Sequence, residues 1–406
     1  MFEDQRMAGE FSIASFNLHN FKYDVRAGGT GADFQFRKAK CEHVSEIIRD
    51  GGYDVIALQE VQTPETVASL VGQLNGGNSN GRYAFVHCHD FYETISNGRF
   101  KSPGREKRGE LAFIYDSESV ALFKDCAVYQ RLNDRMWLAL DYFISGATAL
   151  LVTSLGVGAF IGNDEEDDDE SKSEQGNNKR NKTNQKSSGL KTVGALGIAG
   201  AGYAAHKFLE SQLKRMRPPF VAFFCKKTGG KVDESRQLRL INVHSQFVRT
   251  DADRFSTPSQ IRTKEAEFVL REAFQIVKSE QVEDVSLALT MACGDFNRSA
   301  RQLQAIAEAI NVKRYDPLKI GVTKDPVTPT AHLTTISNKK EAKEGRPWEY
   351  HYVHDFDHFA FDMDVWSPSD AKHAFGLDHE KFFVLEGNER RALSDHLPVV
   401  IKTVKF

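Results

Sequence analysis

The sequence predicts an α/β or α+β fold that is interrupted by one long insertion, and three observations support this prediction. Short apolar runs alternate with amphipathic segments from Phe11 to Met136 and again from Leu213 to Phe406. Hydrophobic residues make up 40% of the 406 residues, which is enough for a large buried core. Residues 137–212 differ in composition from both flanking parts. We therefore expect one domain made of residues 10–136 and 213–406, with 137–212 as the insertion.

Buried strands are predicted where the apolar runs are short, and helices are predicted where apolar residues recur at helical spacing. Phe36 to Ile48 and Thr263 to Val277 show the helical spacing. The predicted strands are FSIASFN, YDVIALQEV, ELAFIYD, LRLINVHS, LALTMACGDFN, HFAFDMDV and LPVVIKTV.

The insertion contains two apolar segments on either side of a polar loop. Residues 142–162 and 192–205 carry no charge, and the second segment is rich in Gly and Ala. Residues 163–189 contain eight acidic and five basic residues and too few apolar side chains to offset the entropy of ordering, which predicts a flexible, disordered acidic loop. Together these segments predict an apolar hairpin whose two arms flank the loop.

Two interpretations of this hairpin remain open. Residues 142–162 would span roughly 31 Å as a helix, close to the hydrocarbon thickness of a bilayer. The flanking parts must join one domain, so the chain would cross a membrane twice or not at all. The alternative is a helical hairpin that packs on the domain or on another copy of the chain. We therefore expect membrane association or self-association through residues 137–212.

Cysteine usage and the N-terminal sequence predict an intracellular, cytoplasmic protein, with tethering to the inner face of a membrane as an option that the hairpin allows. The five cysteines are scattered and never form CxxC, which indicates neither a disulfide framework nor a zinc site. The first residues are acidic and polar, unlike a secretory signal. The net charge of −3 provides no general basic surface, so an anionic substrate would need a local cluster or a metal ion.

Six short motifs place polar side chains at the ends of the predicted strands, where a sheet edge brings such side chains together. Phosphodiester hydrolysis requires neutralised charge on the phosphoryl oxygens, an aligned water and a proton donor for the leaving oxygen. The carboxylates, amides and imidazoles of the motifs supply those parts. The motifs are SFN (Asn17), LQE (Glu60), VHS (His244), GDFN (Asp295, Asn297), FDHF (Asp357) and SDH (Asp395, His396).

The donor types in these motifs predict a hard cation, because Mg²⁺ and Ca²⁺ prefer carboxylate and amide oxygens and thiolates are absent from the set. Glu60 ends an apolar run that would otherwise bury it unpaired. Each motif taken alone has an ordinary alternative: a salt-bridged strand end for Glu60, a turn for GDFN, a core histidine for VHS and a solvated loop for SDH. Their joint occurrence in this order favours a catalytic site.

The order and spacing of these motifs, with YAFV, FIYD and RPPFVAFF, resemble those of the DNase I-like endonuclease/exonuclease/phosphatase superfamily. The resemblance covers nearly all of the chain outside residues 137–212. It implies a two-sheet α/β sandwich with the site at one edge of the facing sheets. One departure concerns the acidic partner of His244, since HCHD at residues 87–90 offers no glutamate where the resemblance places one.

The resemblance also implies roles for individual residues, and Mg²⁺ as the cofactor with Mn²⁺ and Ca²⁺ as alternatives. Glu60, Asn17 and Asp395 would hold the metal ion. Asp295 and Asn297 would orient water and phosphate, and Asp357 would hold the ring of His396. His244 and His396 would act as the acid/base and phosphate-contacting pair, in an order that the sequence leaves open. Arg217 and Tyr83 would contact the substrate phosphate.

The predicted substrate is nucleic acid, most readily DNA, cleaved by an endonuclease of low sequence specificity. RPPFVAFF before VHS, and GDFNRSA without the extended basic motif of inositol phosphatases, favour this interpretation. Five basic residues between Phe91 and Arg108 would contact phosphates, although an ordinary solvated loop is equally compatible. The alternative is a membrane-associated lipid phosphodiesterase or phosphoinositide phosphatase. A catalytically inactive binding module is disfavoured because all the polar site residues are present.

Overall fold

Two mixed β-sheets form the centre of the structure. The first has the spatial order β15 (Val399–Lys405), β1 (Glu10–Phe21), β2 (Val55–Val61), β4 (Ala112–Asp116) and β3 (Tyr83–His87). The second has the order β5 (Val120–Leu122), β6 (Phe220–Thr228), β7 (Lys231–His244), β8 (Leu287–Asp295), β12 (Asp357–Asp362) and β9 (Ile320–Val322). Two separate pairs are β10 (Thr335–Ser337) with β11 (His351–His354) and β13 (Phe383–Glu386) with β14 (Glu389–Ala392).

The computed structural model describes residues 10–78, 81–89, 110–157, 219–245, 258–312, 320–322, 335–337, 351–354, 356–366, 383–386, 389–394 and 396–405. The predictions for Arg217, for Asp395 and for the basic segment from Phe91 to Arg108 lie outside the described residues. The same holds for residues 158–212 of the predicted insertion.

The two sheets face each other and pack directly. The ring centroids of Phe113 in β4 and Phe220 in β6 are 5.2 Å apart, and those of Phe113 and Phe224 are 5.6 Å apart. The Asn242 amide of β7 donates hydrogen bonds of 3.0 Å across the interface to the carbonyl oxygens of Leu58 and Ala112. β1 and β2 are parallel, as are β7 and β8, whereas the other described pairs are antiparallel. The fold is therefore a two-sheet α/β sandwich.

Helices cover the outer faces of the sheets. Buried side chains of the first two helices, among them Val44, Ile48 and Leu70, form one core cluster with Phe16 and Leu58 of the first sheet. The helices are α1 (Ala32–Gly51), α2 (Pro64–Leu74), α3 (Cys126–Val157), α4 (Pro258–Phe268), α5 (Phe274–Lys278) and α6 (Ala300–Val312), with a π-helical turn (Val269–Ala273) between α4 and α5.

All seven predicted strands and both predicted helices are present, and the elements differ from the predictions mainly in their bounds. β7 begins at Lys231, seven residues before the predicted Leu238, because it forms a hairpin with β6 around Gly229 and Gly230. Both glycines have positive φ, of 58° and 78°, which suits a tight turn. Most side chains from Lys231 to Arg236 are exposed or half-buried, so apolarity did not indicate this part of the strand.

The chain divides into two compact units, Met1–Phe143 with Arg215–Phe406, and Ile144–Lys214. The predicted boundary at residue 136 falls within helix α3, which begins at Cys126. In the first unit the ring of Phe143 packs against Phe268 with centroids 5.5 Å apart, and Leu140 is buried. No helix in the described part of the chain combines the length and apolar character needed to span a membrane. The apolar hairpin itself stays a prediction.

Candidate active site

Four strands end at one edge of the sandwich and carry most of the predicted site residues there. Asn17 of β1 is in register with Gln59 of β2, directly before Glu60. His244 ends β7 and is in register with Asp295, which ends β8, and Asp295 pairs in turn with Asp357 at the start of β12. Because parallel neighbours end at the same edge of a sheet, the motifs that are distant in sequence meet at this point.

The Asn17 side chain links the two carboxylates at the centre of this edge. Its Nδ2 donates to Oε1 of Glu60 and to Oδ2 of Asp295, both at 3.2 Å. Its Oδ1 accepts a hydrogen bond of 2.9 Å from the backbone N–H of His19. Asn17 is fully buried, and its polar atoms are therefore held in one orientation.

Glu60 has a left-handed backbone conformation with φ of 58°, which is uncommon for a residue other than glycine. Its Oε2 accepts a 2.8 Å hydrogen bond from the N–H of Asn20, and its Oε1 lies 3.3 Å from Nε2 of His244. Burial raises the pKa of the Glu60 carboxyl, but the hydrogen bond and charge of His244 and the donors of Asn20 and Asn17 outweigh it, so the pKa lies well below its usual value. Among the described residues, Glu60 is therefore an acidic partner of His244.

Asp295 is a buried carboxylate whose pKa is raised, whereas that of Glu60 is lowered. Burial raises its pKa to about 6, and the charge of Asp357 adds to this effect, while His396 and His244 oppose it. Its Oδ1 accepts a 2.8 Å hydrogen bond from the N–H of Asn297. An environment of this kind brings a carboxylate close to the pKa range in which it can accept a proton near neutral pH.

Backbone geometry on either side of Asp295 explains the glycine and the asparagine of the GDFN motif. Gly294 has φ of 138°, and a Cβ atom there would lie 2.0 Å from the carbonyl oxygen of Val243. Asn297 has φ of 49° and donates a 2.8 Å hydrogen bond from Nδ2 to the carbonyl oxygen of Ser245. The close approach of β7 and β8 therefore requires glycine next to the carboxylate.

His396 is held by a second carboxylate. Its Nδ1 lies 2.8 Å from Oδ2 of Asp357, and its Nε2 lies 3.8 Å from Oδ2 of Asp295. Both partners are buried, since the side chains of Asp357 and Asp295 are 1% and 3% exposed. The carboxylate of Asp357 fixes the ring orientation and directs Nε2 towards Asp295.

Tyr83 is the described residue that the structure does not bring to the site. It lies 5% exposed in the core cluster of the first sheet. Tyr83 is opposite Asp116, the last residue of β4. The residue before Asp116 is opposite Val55, at the beginning of β2, whereas Glu60 is near the end of β2. Tyr83 is therefore not among the residues that meet at the sheet edge, and its contact with substrate phosphate stays a prediction.

Several residues that support the site were not singled out in the sequence. The Ser394 hydroxyl donates a 2.7 Å hydrogen bond to the carbonyl oxygen of Asn17 and accepts one of 3.1 Å from the N–H of His396. Gln59 and Asn242 are fully buried, and Nε2 of Gln59 donates to Oδ1 of Asn242 at 2.7 Å, which joins the two sheets. The signal for this pair was available, because both amides stand within apolar runs, Gln59 one position before Glu60 and Asn242 two positions before His244.

The oxygen ligands among the described site residues suit a hard cation that is also bound by oxygens of the substrate. Glu60 offers a carboxylate whose side chain is 16% exposed, and its ionised form is strongly favoured. Within the described ranges, no three His, Cys, Asp or Glu side chains form a cluster suited to a metal ion. Mg²⁺ is usually bound by one or two carboxylates together with waters and substrate phosphates, so the Glu60 site is compatible with it.

Comparison with known proteins gives no match by sequence and several solved structures of low identity. No family model matches the sequence, and comparison with curated protein sequences gives no match. A solved endonuclease/exonuclease/phosphatase family protein from Bacteroides thetaiotaomicron is 12% identical, with a TM-score of 0.41 and coverage of 98% of each chain. D. rerio TDP2 complexed with a single-strand DNA product (TM-score 0.43) and ANGEL2, described as a 2′,3′-cyclic phosphatase (TM-score 0.45), are each 12% identical over 98% of this chain and 99% of theirs.

Proposed function

We propose that this chain is a metal-dependent phosphodiesterase of the DNase I-like type that cleaves nucleic acid with low sequence specificity. One observation carries the proposal. Two carboxylates, Glu60 and Asp295, are joined by the amide of Asn17, and Asp295 lies beside a histidine, His396, that Asp357 orients. This set contains a cation ligand, a proton acceptor and a phosphate contact within one edge of the sandwich.

The cation would be held by Glu60, with Asn17 beside it and Asp395 as a further ligand. A bound Mg²⁺ neutralises charge on the phosphoryl oxygens of a substrate. The low pKa of Glu60 keeps its carboxylate ionised throughout the neutral range. Mn²⁺ and Ca²⁺ have the same preference for oxygen ligands and are the alternatives.

In the proposed reaction, Asp295 accepts a proton from the attacking water, while Asn297 and its neighbours fix the direction of the carboxylate. The 2.8 Å hydrogen bond from the N–H of Asn297 occupies Oδ1 of Asp295, which directs Oδ2 into the site. His396, with Nδ1 held by Asp357, places Nε2 to donate a hydrogen bond to a phosphoryl oxygen. Positioning of this kind is the main contribution of a protein to phosphoryl transfer.

In the proposed reaction one of the two histidines supplies the proton for the leaving oxygen, and substrates with different leaving groups show which one. A nitrophenyl phosphodiester leaves as a stable anion and needs little protonation, whereas the leaving oxygen of DNA needs a proton. We expect the substitution of the general acid, His244→Gln or His396→Gln, to slow DNA cleavage much more than cleavage of the activated ester. Equal losses on both substrates for both variants would show that neither histidine is the proton donor.

Nucleic acid is the proposed substrate because the chain between Phe91 and Arg108 contains five basic residues able to contact phosphates, without any motif for reading bases. The second candidate is a lipid phosphodiester or phosphoinositide, favoured by the uncharged residues 142–162, which could bring the site to a lipid surface. An assay that offers both classes of substrate to the same protein decides between these two candidates.

The test offers plasmid DNA, RNA, phosphoinositides and sphingomyelin to the wild-type chain, to Glu60→Ala and to Glu46→Ala, with and without a chelator. Glu46 is a half-exposed glutamate on α1 and serves as the matched control. We expect DNA cleavage that requires Mg²⁺ or Mn²⁺, is abolished in Glu60→Ala and is unchanged in Glu46→Ala. Preference for a lipid would overturn the nuclease assignment, and full activity in excess chelator would overturn the metal mechanism.

A further inference from the structure

Lys40 is a buried lysine on the inner face of helix α1, close to the candidate active site. It is 4% exposed, which is unusual for a lysine. Its Nζ donates a hydrogen bond to the carbonyl oxygen of Leu18 and a longer one, of 3.4 Å, to that of His19. Nζ also lies 5.1 Å from the centre of the Phe21 ring. A buried ammonium is costly unless such partners compensate for lost hydration, so its placement requires these carbonyl groups.

The two carbonyl groups belong to an irregular segment of β1. The pairing of β1 with β2 is regular up to Asn17 opposite Gln59 and resumes at Phe21 opposite Val61, so β1 contains two more residues than β2 over this interval. His19 and Asn20 have φ of 44° and 49°, in the left-handed region. Consecutive left-handed residues other than glycine persist only where their surroundings hold them.

Residues 18–20 form a bulge in β1, and the N–H groups of this bulge hold two side chains of the site. The N–H of His19 donates to Oδ1 of Asn17 at 2.9 Å, and the N–H of Asn20 donates to Oε2 of Glu60 at 2.8 Å. The bulge thus fixes the orientation of the amide that links the two carboxylates, and it also holds the carboxylate proposed to bind the cation.

Lys40 and the site share the same two peptide groups. The carbonyl of Leu18 and the N–H of His19 form one planar peptide, and the carbonyl of His19 and the N–H of Asn20 form the next. Nζ of Lys40 binds the oxygen of each peptide, while the side chains of the site accept hydrogen bonds from the N–H at its other end. Fixing the oxygen of a planar group fixes the direction of its N–H, and a charged donor on the oxygen polarises the group and strengthens the N–H bond.

We propose that Lys40 is a positioning residue for the cation site: through the peptides Leu18–His19 and His19–Asn20 it sets the orientation of Asn17 and Glu60. The proposal deepens the proposed function and rests on it for the identity of the ligand. Outer groups that orient a metal ligand typically change metal affinity by about 10- to 100-fold when removed. Lys40→Met keeps most of the aliphatic volume and removes the donors, so it isolates this contribution.

The experiment compares the wild-type chain with Lys40→Met, Lys40→Arg and the control Lys38→Met, which changes a half-exposed lysine of the same helix. Mn²⁺ affinity is measured by calorimetry, and amide hydrogen exchange of residues 17–22 is measured without metal. In Lys40→Met we expect Mn²⁺ affinity to fall by about 10-fold or more and the Asn20 amide to exchange faster. Lys40→Arg should restore most of both properties, and Lys38→Met should change neither.

Wild-type affinity and wild-type exchange in a folded Lys40→Met chain would overturn the proposal. If Lys40→Met does not fold, Lys40→Leu also removes the donors but has a shorter apolar side chain, and unchanged affinity and exchange there would overturn it equally. Failure of the proposed function looks different: the wild-type chain itself would bind no Mn²⁺, whereas the exchange of the Asn20 amide in metal-free protein would still respond to Lys40 if the positioning role is correct.

Discussion

Nδ1 of His396 lies 2.8 Å from Oδ2 of Asp357, and the two residues come from different parts of the sandwich edge, 39 positions apart in the chain. Asp357 is in register with Asp295 across the β8–β12 pair. The histidine is therefore held between one carboxylate that fixes its ring and another that faces the proposed substrate position.

Asp357→Asn should reduce catalysis while the chain remains folded. An amide in place of the carboxylate no longer provides the charged acceptor that fixes the orientation of the His396 ring, so we expect kcat for DNA cleavage to fall by about 100-fold or more. The measurement is steady-state cleavage at saturating Mg²⁺, with Asp33→Asn as a control at an exposed site on α1. A kcat within a factor of about two of wild type would contradict the proposed role of the pair.

The activity should depend on pH through the buried carboxyl group of Asp295. Its pKa is raised to about 6 by burial, and it accepts a proton only when ionised. We expect kcat/KM to rise with pH through this range and to level off above it. A flat profile between roughly pH 5 and 8 would exclude Asp295 as the proton acceptor.

The same raised pKa has a consequence for stability. The folded chain binds a proton at Asp295 more tightly than the unfolded chain, whose carboxyl has the ordinary value of 3.8. The stability contributed by this protonation is fully present below that value and is lost as pH rises through about 6. Denaturant unfolding of wild type and Asp295→Asn across this window should show a smaller pH dependence in the variant.

Gly294→Ala should strongly destabilise the fold next to the site. The added Cβ would lie 2.0 Å from the carbonyl oxygen of Val243, and φ of 138° is unfavourable for alanine. The backbone strain alone costs about 1–3 kcal/mol, and separating the paired strands adds to it. Gly72→Ala in helix α2 is the matched control, because a Cβ there meets nothing within 4 Å. Gly72→Ala should stabilise the chain slightly, by about 0.5–1 kcal/mol. An unchanged Tm in Gly294→Ala would show that β7 and β8 can separate at little cost.

The sequence predicted the strands from their apolar runs, and it predicted most of the site because the polar motifs stand at the ends of those strands. Asn17, Glu60, His244, Asp295, Asp357 and His396 come together as expected. Tyr83 did not, because a motif letter does not say at which end of an antiparallel strand the side chain lies. Lys40 was missed for a different reason, since a lysine that is buried in a hydrogen-bond network has the same sequence signature as one on the surface. The buried pair Gln59 and Asn242 was detectable, because both amides stand within apolar runs.

Helix α3 remains packed in the first unit beyond residue 136, which changes the expected outcome of shortening the insertion. Leu140 and Phe143 are 3% and 7% exposed, and Arg131 and Arg135 both bind the carboxylate of Glu280 at 2.9 Å. A junction placed after Arg135 would remove the two apolar side chains. Truncation of a single large buried side chain typically costs about 2–5 kcal/mol.

Two deletion variants test this boundary. Replacing residues 144–214 with a Gly/Ser linker that joins Phe143 to Arg215 should leave Tm and DNA cleavage close to wild type. Joining Arg135 to Leu213 should lower Tm, because the surface that Phe143 covers on Phe268 becomes exposed. Sedimentation of the full chain and of the first variant, with and without lipid vesicles, tests the predicted hairpin, since membrane binding or self-association should be lost on deletion. An unfolded first variant would show that residues 144–214 are required by the core, and equal Tm values for the two variants would show that Leu140 and Phe143 contribute little to it.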